Sequence, residues 1–107
     1  MRRLFASALV LSLAACGAGG VIADYGSIRP VTLVHGDVDW KFYDRPQEGR
    51  VMVAPTVASV RQVNSLDAWS DPARFQAAAQ AWLAPRGCTA TGVKPLIKAQ
   101  MEVTYTC

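Results

Sequence analysis

The chain has 107 residues, 51% of them hydrophobic, and 11 basic against 8 acidic side chains, a formal charge of +3. A chain of this length makes one small domain with a modest core. Its basicity does not point to nucleic acid: after Arg2 and Arg3 the remaining basic residues, from Arg29 to Lys98, stand singly, and no stripe is left to neutralise a phosphate backbone.

In chain order, Met1-Arg2-Arg3 gives a short positive start, and Leu4 to Leu13 is an apolar run interrupted only by Ser7 and Ser12. The layout is that of a signal peptide. Spanning a bilayer takes about 20 apolar residues, more than this run offers before Gly17-Ala18-Gly19-Gly20 begins. Leu13-Ala14-Ala15-Cys16 resembles the lipobox of bacterial lipoproteins. In that family signal peptidase II cuts before the cysteine, whose thiol carries diacylglycerol and whose new amine is acylated.

The resemblance implies residues 1–15 as a lipoprotein signal peptide, Cys16 as the lipidated first mature residue, and membrane attachment through the lipid, since each buried CH₂ contributes about 0.8 kcal/mol. Gly17, where family members held at the inner membrane carry Asp, implies the periplasmic leaflet of the outer membrane. Loss of Arg2 and Arg3 leaves nine basic side chains against eight acidic ones, a charge of +1, on a mature chain of 92 residues.

Residues 16–28 read as the lipidated N-terminus and a flexible tether, because glycines leave the chain free and little is present to pack. Residues 29–107 read as the folded domain. From Asp37 to Tyr43, Val38, Trp40 and Phe42 alternate with polar neighbours, which predicts a strand with one buried face. Asp44 to Gly49, "DRPQEG", is a turn by its Pro and Gly, and Arg50 to Ala54 resumes an apolar run, so residues 37–54 predict a hairpin.

"SDPARFQAAAQAWLAPRG", residues 70–87, carries helix punctuation at both ends. Ser70 or Asp71 is placed to cap, Pro72 suits the first helical position, and Pro85 with Gly87 ends the run. Phe75, Ala78, Ala79, Trp82 and Leu83 recur on one helical face. Residues 98–107 alternate again, with Ala99, Met101, Val103, Tyr105 and Cys107 on the apolar side. The expected fold is α+β: an antiparallel sheet of about three to four strands with one main amphipathic helix packed on it.

With Cys16 lipidated, Cys88 and Cys107 remain, and two cysteines in an oxidising compartment read as one disulfide stapling helix to sheet. No Cys-x-x-Cys is present and His35 is the only histidine, so neither a metal site nor a cofactor is expected. Paired carboxylates such as Asp37 and Asp39 can hold a cation or move protons, yet at alternate strand positions they belong to a solvated face. His35 reads as structural, and Trp69, beside Leu66 and the helix entry, is either core or a partner surface. Phosphate-loop, nucleophile-elbow and His-Glu-x-x-His patterns are missing.

The body resembles small proteobacterial lipoproteins in general, without a motif that carries an activity. The expectation is a non-enzymatic envelope lipoprotein that acts by protein contact, as an accessory subunit or inhibitor. A module for a small ligand, peptidoglycan or a cation is the alternative, and a small envelope enzyme combining His35 with a carboxylate or Cys88 comes third.

Overall fold

The computed structural model describes residues 18–62 and 69–107. The chain forms α1 (Ala18–Tyr25), β1 (Val31–His35), β2 (Val38–Arg45), a 3-10 turn (Pro46–Glu48), β3 (Arg50–Pro55), α2 (Val57–Gln62), α3 (Pro72–Leu83), a second 3-10 turn (Ala84–Arg86), β4 (Thr89–Ile97) and β5 (Gln100–Thr106). All five strands lie in one antiparallel sheet in the order β1-β2-β3-β5-β4. The α+β class and the main helix are as the sequence predicts, with one strand more than the upper expectation. Cys16 lies outside the described residues, as does the signal-like run before it.

The main core fills the space between the sheet and α3. Val38, Trp40 and Phe42 of β2, Val51 and Val53 of β3, and Met101, Val103 and Tyr105 of β5 meet Phe75, Ala78, Ala79, Trp82 and Leu83 of the helix. All five predicted helix positions are buried. Asp71 caps that helix, its Oδ1 accepting from the Ala73 amide at 3.0 Å, with Pro72 in the first position, where a missing N–H costs nothing. Aromatic rings order the interior. Trp82 stacks on Phe42 with centroids 5.3 Å apart, while Phe75 meets Trp40 edge-on at 5.1 Å, geometries that add specificity to burial.

Three local readings change. Asp37 is not the first residue of the strand but the second residue of a tight turn, with Gly36 and Asp37 at φ 61° and 62°; that primed-type turn matches the twist of the flanking strands and joins β1 to β2. Asp44 and Arg45 continue β2, so the corner is only Pro46–Glu48, closed by Gly49 at φ 62°. Lys98 and Ala99 form the β4–β5 connection, Ala99 having a φ of 58°, and Cys107 is exposed just past β5.

The expected tether is also structured from Ala18 onward: α1 ends in Tyr25, a fully buried ring. Its hydroxyl donates to Glu102, which lies on the sheet face opposite the main core. Glu102 at an alternate strand position is therefore not solvated, because the chain before β1 covers it.

The disulfide joins Cys88 and Cys107. Cys88 directly precedes β4, whose Thr89 pairs with Thr106 of β5, so the bridge closes the open end of that hairpin. It holds the helix as well, since the Cys88 amide donates to the Leu83 carbonyl and the Gln80 side chain donates to the Cys88 carbonyl.

Candidate functional site

A five-stranded open sheet has two edges, and this one treats them differently. At β4, the Gln80 side chain reaches across from the helix, Nε2 donating to the Cys88 carbonyl at 3.3 Å and Oε1 accepting from the Ala90 amide at 2.9 Å. The strand then bulges between Ala90 and Gly92 and again between Pro95 and Ile97, and carries Lys94 and Pro95. Capped backbone, bulges, lysine and proline are the devices that stop a sheet edge from recruiting another strand.

Among the described residues none of these devices is present at β1. Val31-Thr32-Leu33-Val34-His35 holds no Lys, Arg, Asp, Glu or Pro, and it pairs with β2 in an unbroken register from Val31 opposite Phe42 to His35 opposite Val38. Four of its five residues are exposed, and Val31 and Val34 remain 49% and 64% accessible. Only Leu33 is half-buried, packed against the main core.

The direction of the free backbone groups follows from the ladder. In a two-residue hairpin the closing pair, His35 with Val38, is hydrogen-bonded, and bonded and non-bonded pairs then alternate. Asp39, opposite Val34, confirms the phase: its amide donates to Ser59 Oγ at 3.0 Å and its carbonyl accepts from the Thr56 amide at 2.8 Å, both away from β1. The amides and carbonyls of Thr32 and Val34 therefore point outward from the sheet. Val31, Leu33 and His35 share the face of the main core, and Thr32 and Val34 share the other.

The residues singled out from sequence fall at two places, with His35, Asp37 and Asp39 at the β1–β2 turn and Cys88 beside the opposite edge of the sheet. His35 ends β1, and its carbonyl accepts from the Trp40 indole at 3.0 Å. Cys88 adjoins β4, the far edge of the same sheet, roughly 19 Å away at about 4.8 Å per strand, and its sulfur is committed to the disulfide. Asp37 and Asp39 are exposed on β2 and its turn. Among the described residues no group of three His, Cys, Asp or Glu side chains is placed to hold a metal ion, and no helix is long and apolar enough to cross a membrane.

Trp69 is a core residue, 3% accessible, edge-on to Trp40 with Arg74 over its ring. The sequence-derived surface through Trp69 is thus not exposed, and Leu66 lies outside the described residues. The sequence signal for β1 as a strand is "VTLVHGDV", residues 31–38: a short β-rich run, then Gly-Asp, then the alternating strand.

Charge is concentrated on the sheet's second face. Glu102, buried, accepts from Tyr25 at 2.6 Å and from Arg50 at 2.9 Å, with Lys94 3.5 Å from its other oxygen. Arg50 also reaches Glu48 and Asp24, and Arg45 holds Glu48 and the Asp24 carbonyl. Burial pushes the Glu102 carboxyl up, but the Tyr25 and Arg50 hydrogen bonds outweigh it and hold the group below the usual range. Burial and the carboxylate raise the Tyr25 hydroxyl far above an ordinary tyrosine. An open recess of about 390 Å³ beside this cluster is lined by Asp24, Asp44, Arg45 and Glu48 among others; Asp24, Arg45 and Glu48 pair with one another, and Asp44 accepts from Tyr105 at 2.6 Å.

No protein-family model, curated protein or solved structure matches the chain.

Proposed function

We propose that the protein is a lipid-anchored envelope lipoprotein without enzymatic activity, which acts by protein contact through the free edge β1. The observation that carries the contact is the asymmetry of the two edges: β4 is capped, bulged and charged, whereas β1 presents two outward backbone donors and two outward acceptors between exposed valines. An edge of this kind binds by adding a strand, with the main chain supplying affinity and alternate side chains supplying specificity.

The anchor rests on Leu13-Ala14-Ala15-Cys16. Cys16 stands two positions before the start of α1 and nine before the buried Tyr25. Lipid on Cys16 would hold the domain against the bilayer, and the periplasmic leaflet of the outer membrane is the location implied by Gly17. His35, Asp37 and Asp39 are exposed at one hairpin end, and Cys88 is locked in a disulfide beside the far edge strand, which supports a contact role over catalysis, where such groups converge in one cleft.

Membrane fractionation and crosslinking in intact cells test both parts. Cys16→Ser is expected to move the protein from the membrane to the soluble fraction; unchanged partitioning removes the anchor. Val34→Pro deletes an outward amide without breaking the β1–β2 ladder, as proline is tolerated at sheet edges, and is expected to abolish protein crosslinks. Crosslinks that survive it place the contact elsewhere.

A further inference from the structure

We infer that the occupant of β1 is a second copy of the same strand, so that two chains join edge to edge as a twofold dimer with one continuous ten-stranded sheet. The inference rests on the edge-contact reading above and names its partner. It comes from the self-complementarity of the five residues about Leu33.

With antiparallel strands and the twofold axis at Leu33, Thr32 of one copy stands opposite Val34 of the other, and the reverse. These are the two positions whose amides and carbonyls point outward, so both become hydrogen-bonded pairs, each exchanging two bonds. Leu33 meets Leu33 at the non-bonded pair between them, where side chains approach most closely, and Val31 meets His35. Shifting the register by one residue would set outward groups against inward ones and lose all four bonds.

Side chains agree with this register. No formal charge meets a like charge, since β1 holds no Lys, Arg, Asp or Glu. The Leu33 pair and Val31 lie on the core face, so the two main cores would become neighbours, and Val31, at 49% accessible, gains cover that it lacks in one chain. The outer edges of the joined sheet are both β4, which is guarded by Gln80, Pro95 and two bulges. Association therefore closes at two copies, as an isologous contact does, and does not run on into a filament. A second, identical strand fits these features better than a charged extended segment, which would find no countercharge on β1.

The contact is short. Two five-residue edges bury less than the roughly 1,200 Å² of a standard interface, so the dimer is expected to be transient in dilute solution and concentrated by the membrane. Site-directed crosslinking of the full chain in membranes reads such a dimer. Leu33→Cys places two thiols at the non-bonded pair, about 4.5 Å between Cα atoms, within disulfide reach. It is expected to give a reducible band at twice the monomer mass on mild oxidation, above the background of the unaltered chain with its own three cysteines.

Because Leu33 touches the core, a second pair guards against misfolding. Val31→Cys and His35→Cys chains expressed together are expected to crosslink to each other, while Val31→Cys alone gives no dimer, its two copies being about 14 Å apart at 3.4 Å per residue. Adding Val34→Pro is expected to cut each dimer band at least tenfold. A dimer formed by Val31→Cys alone, or bands indifferent to Val34→Pro, would overturn the register. Crosslinks from Leu33→Cys to a different protein would overturn the second copy and keep the edge contact, and no crosslink from any β1 position would overturn both.

Discussion

Tyr25 and Glu102 are 77 positions apart in sequence, and their oxygens are 2.6 Å apart. That hydrogen bond holds the chain before β1 against the second face of the sheet. Arg50 completes it from β3, its guanidinium donating to the same carboxylate oxygen and lying 5.7 Å from the Tyr25 ring centre.

Tyr25→Phe keeps the buried ring and removes only the hydroxyl. A hydrogen bond to a buried charge contributes about 1.5–3 kcal/mol, so a stability loss of that size in urea unfolding is expected. If the loss is under about 0.5 kcal/mol, Arg50 alone satisfies Glu102 and the tyrosine contributes by packing.

The same pair sets a pH dependence with two limbs. Glu102 titrates below its ordinary value near 4.5 in the folded chain, so its contribution is complete above that value and is lost as pH falls through the lower folded one. Tyr25 titrates above its ordinary value near 10. Its contribution is complete below 10 and is lost as pH rises further. The expected urea midpoint is flat between these limits and falls on both sides, and Glu102→Gln should flatten the acid limb. An acid limb unchanged in Glu102→Gln would assign acid sensitivity to other carboxylates.

The pairing also explains where sequence reasoning stopped. Alternation over 98–107 puts Glu102 opposite the apolar side of the strand, and glycines predict a tether over 16–28. What neither pattern carries is that the second face is dry where Tyr25 covers it, because no local pattern joins positions 25 and 102. By contrast, the helix over Pro72–Leu83 was legible because cap, proline and apolar stripe are all local. Gly92 and Pro95 hid β4, since both weaken a strand pattern and both are allowed at an edge. The free edge itself was illegible, as it depends on strand order rather than on any residue in β1.

Gly49 is fixed by two constraints at once. Its φ of 62° favours glycine, and a Cβ there would lie 2.9 Å from the Tyr105 carbonyl oxygen, on the strand whose Tyr105 amide donates to the Gly49 carbonyl. Gly49→Ala should therefore cost about 1–3 kcal/mol as stored backbone strain. Gly87→Ala is the control, with a similar φ of 72° and nothing within 4 Å. Equal losses in thermal unfolding would mean that φ alone decides, whereas a larger loss at Gly49 assigns the difference to the Tyr105 contact.

The Cys88–Cys107 bridge spans a sequence separation of 19. Closing a loop of that size removes unfolded-state entropy equivalent to about 3 kcal/mol, and at about 4–8 °C per kcal/mol for a domain this small the reduced chain should melt at least 10 °C lower. Cys88→Ser with Cys107→Ser should reproduce the shift without reductant. A double variant that melts with the parent would show that Gln80 and the β4–β5 ladder already hold the hairpin shut.

Gln80 supplies the last test, because it links the stability of one edge to the stoichiometry at the other. Its amide satisfies the Ala90 N–H and the Cys88 carbonyl simultaneously, and Gln80→Ala leaves both without that partner, at a cost of about 1–3 kcal/mol. It also strips the cap from the start of β4, leaving Pro95, Lys94 and the bulges as the remaining guards. Material treated with a chemical crosslinker should then extend beyond the dimer into trimers and larger ladders, and adding Val34→Pro should cut these ladders back to dimers joined through β4. Strictly dimeric crosslinks in Gln80→Ala would show that the bulges and Pro95 close that edge unaided, with the side-chain cap serving stability alone.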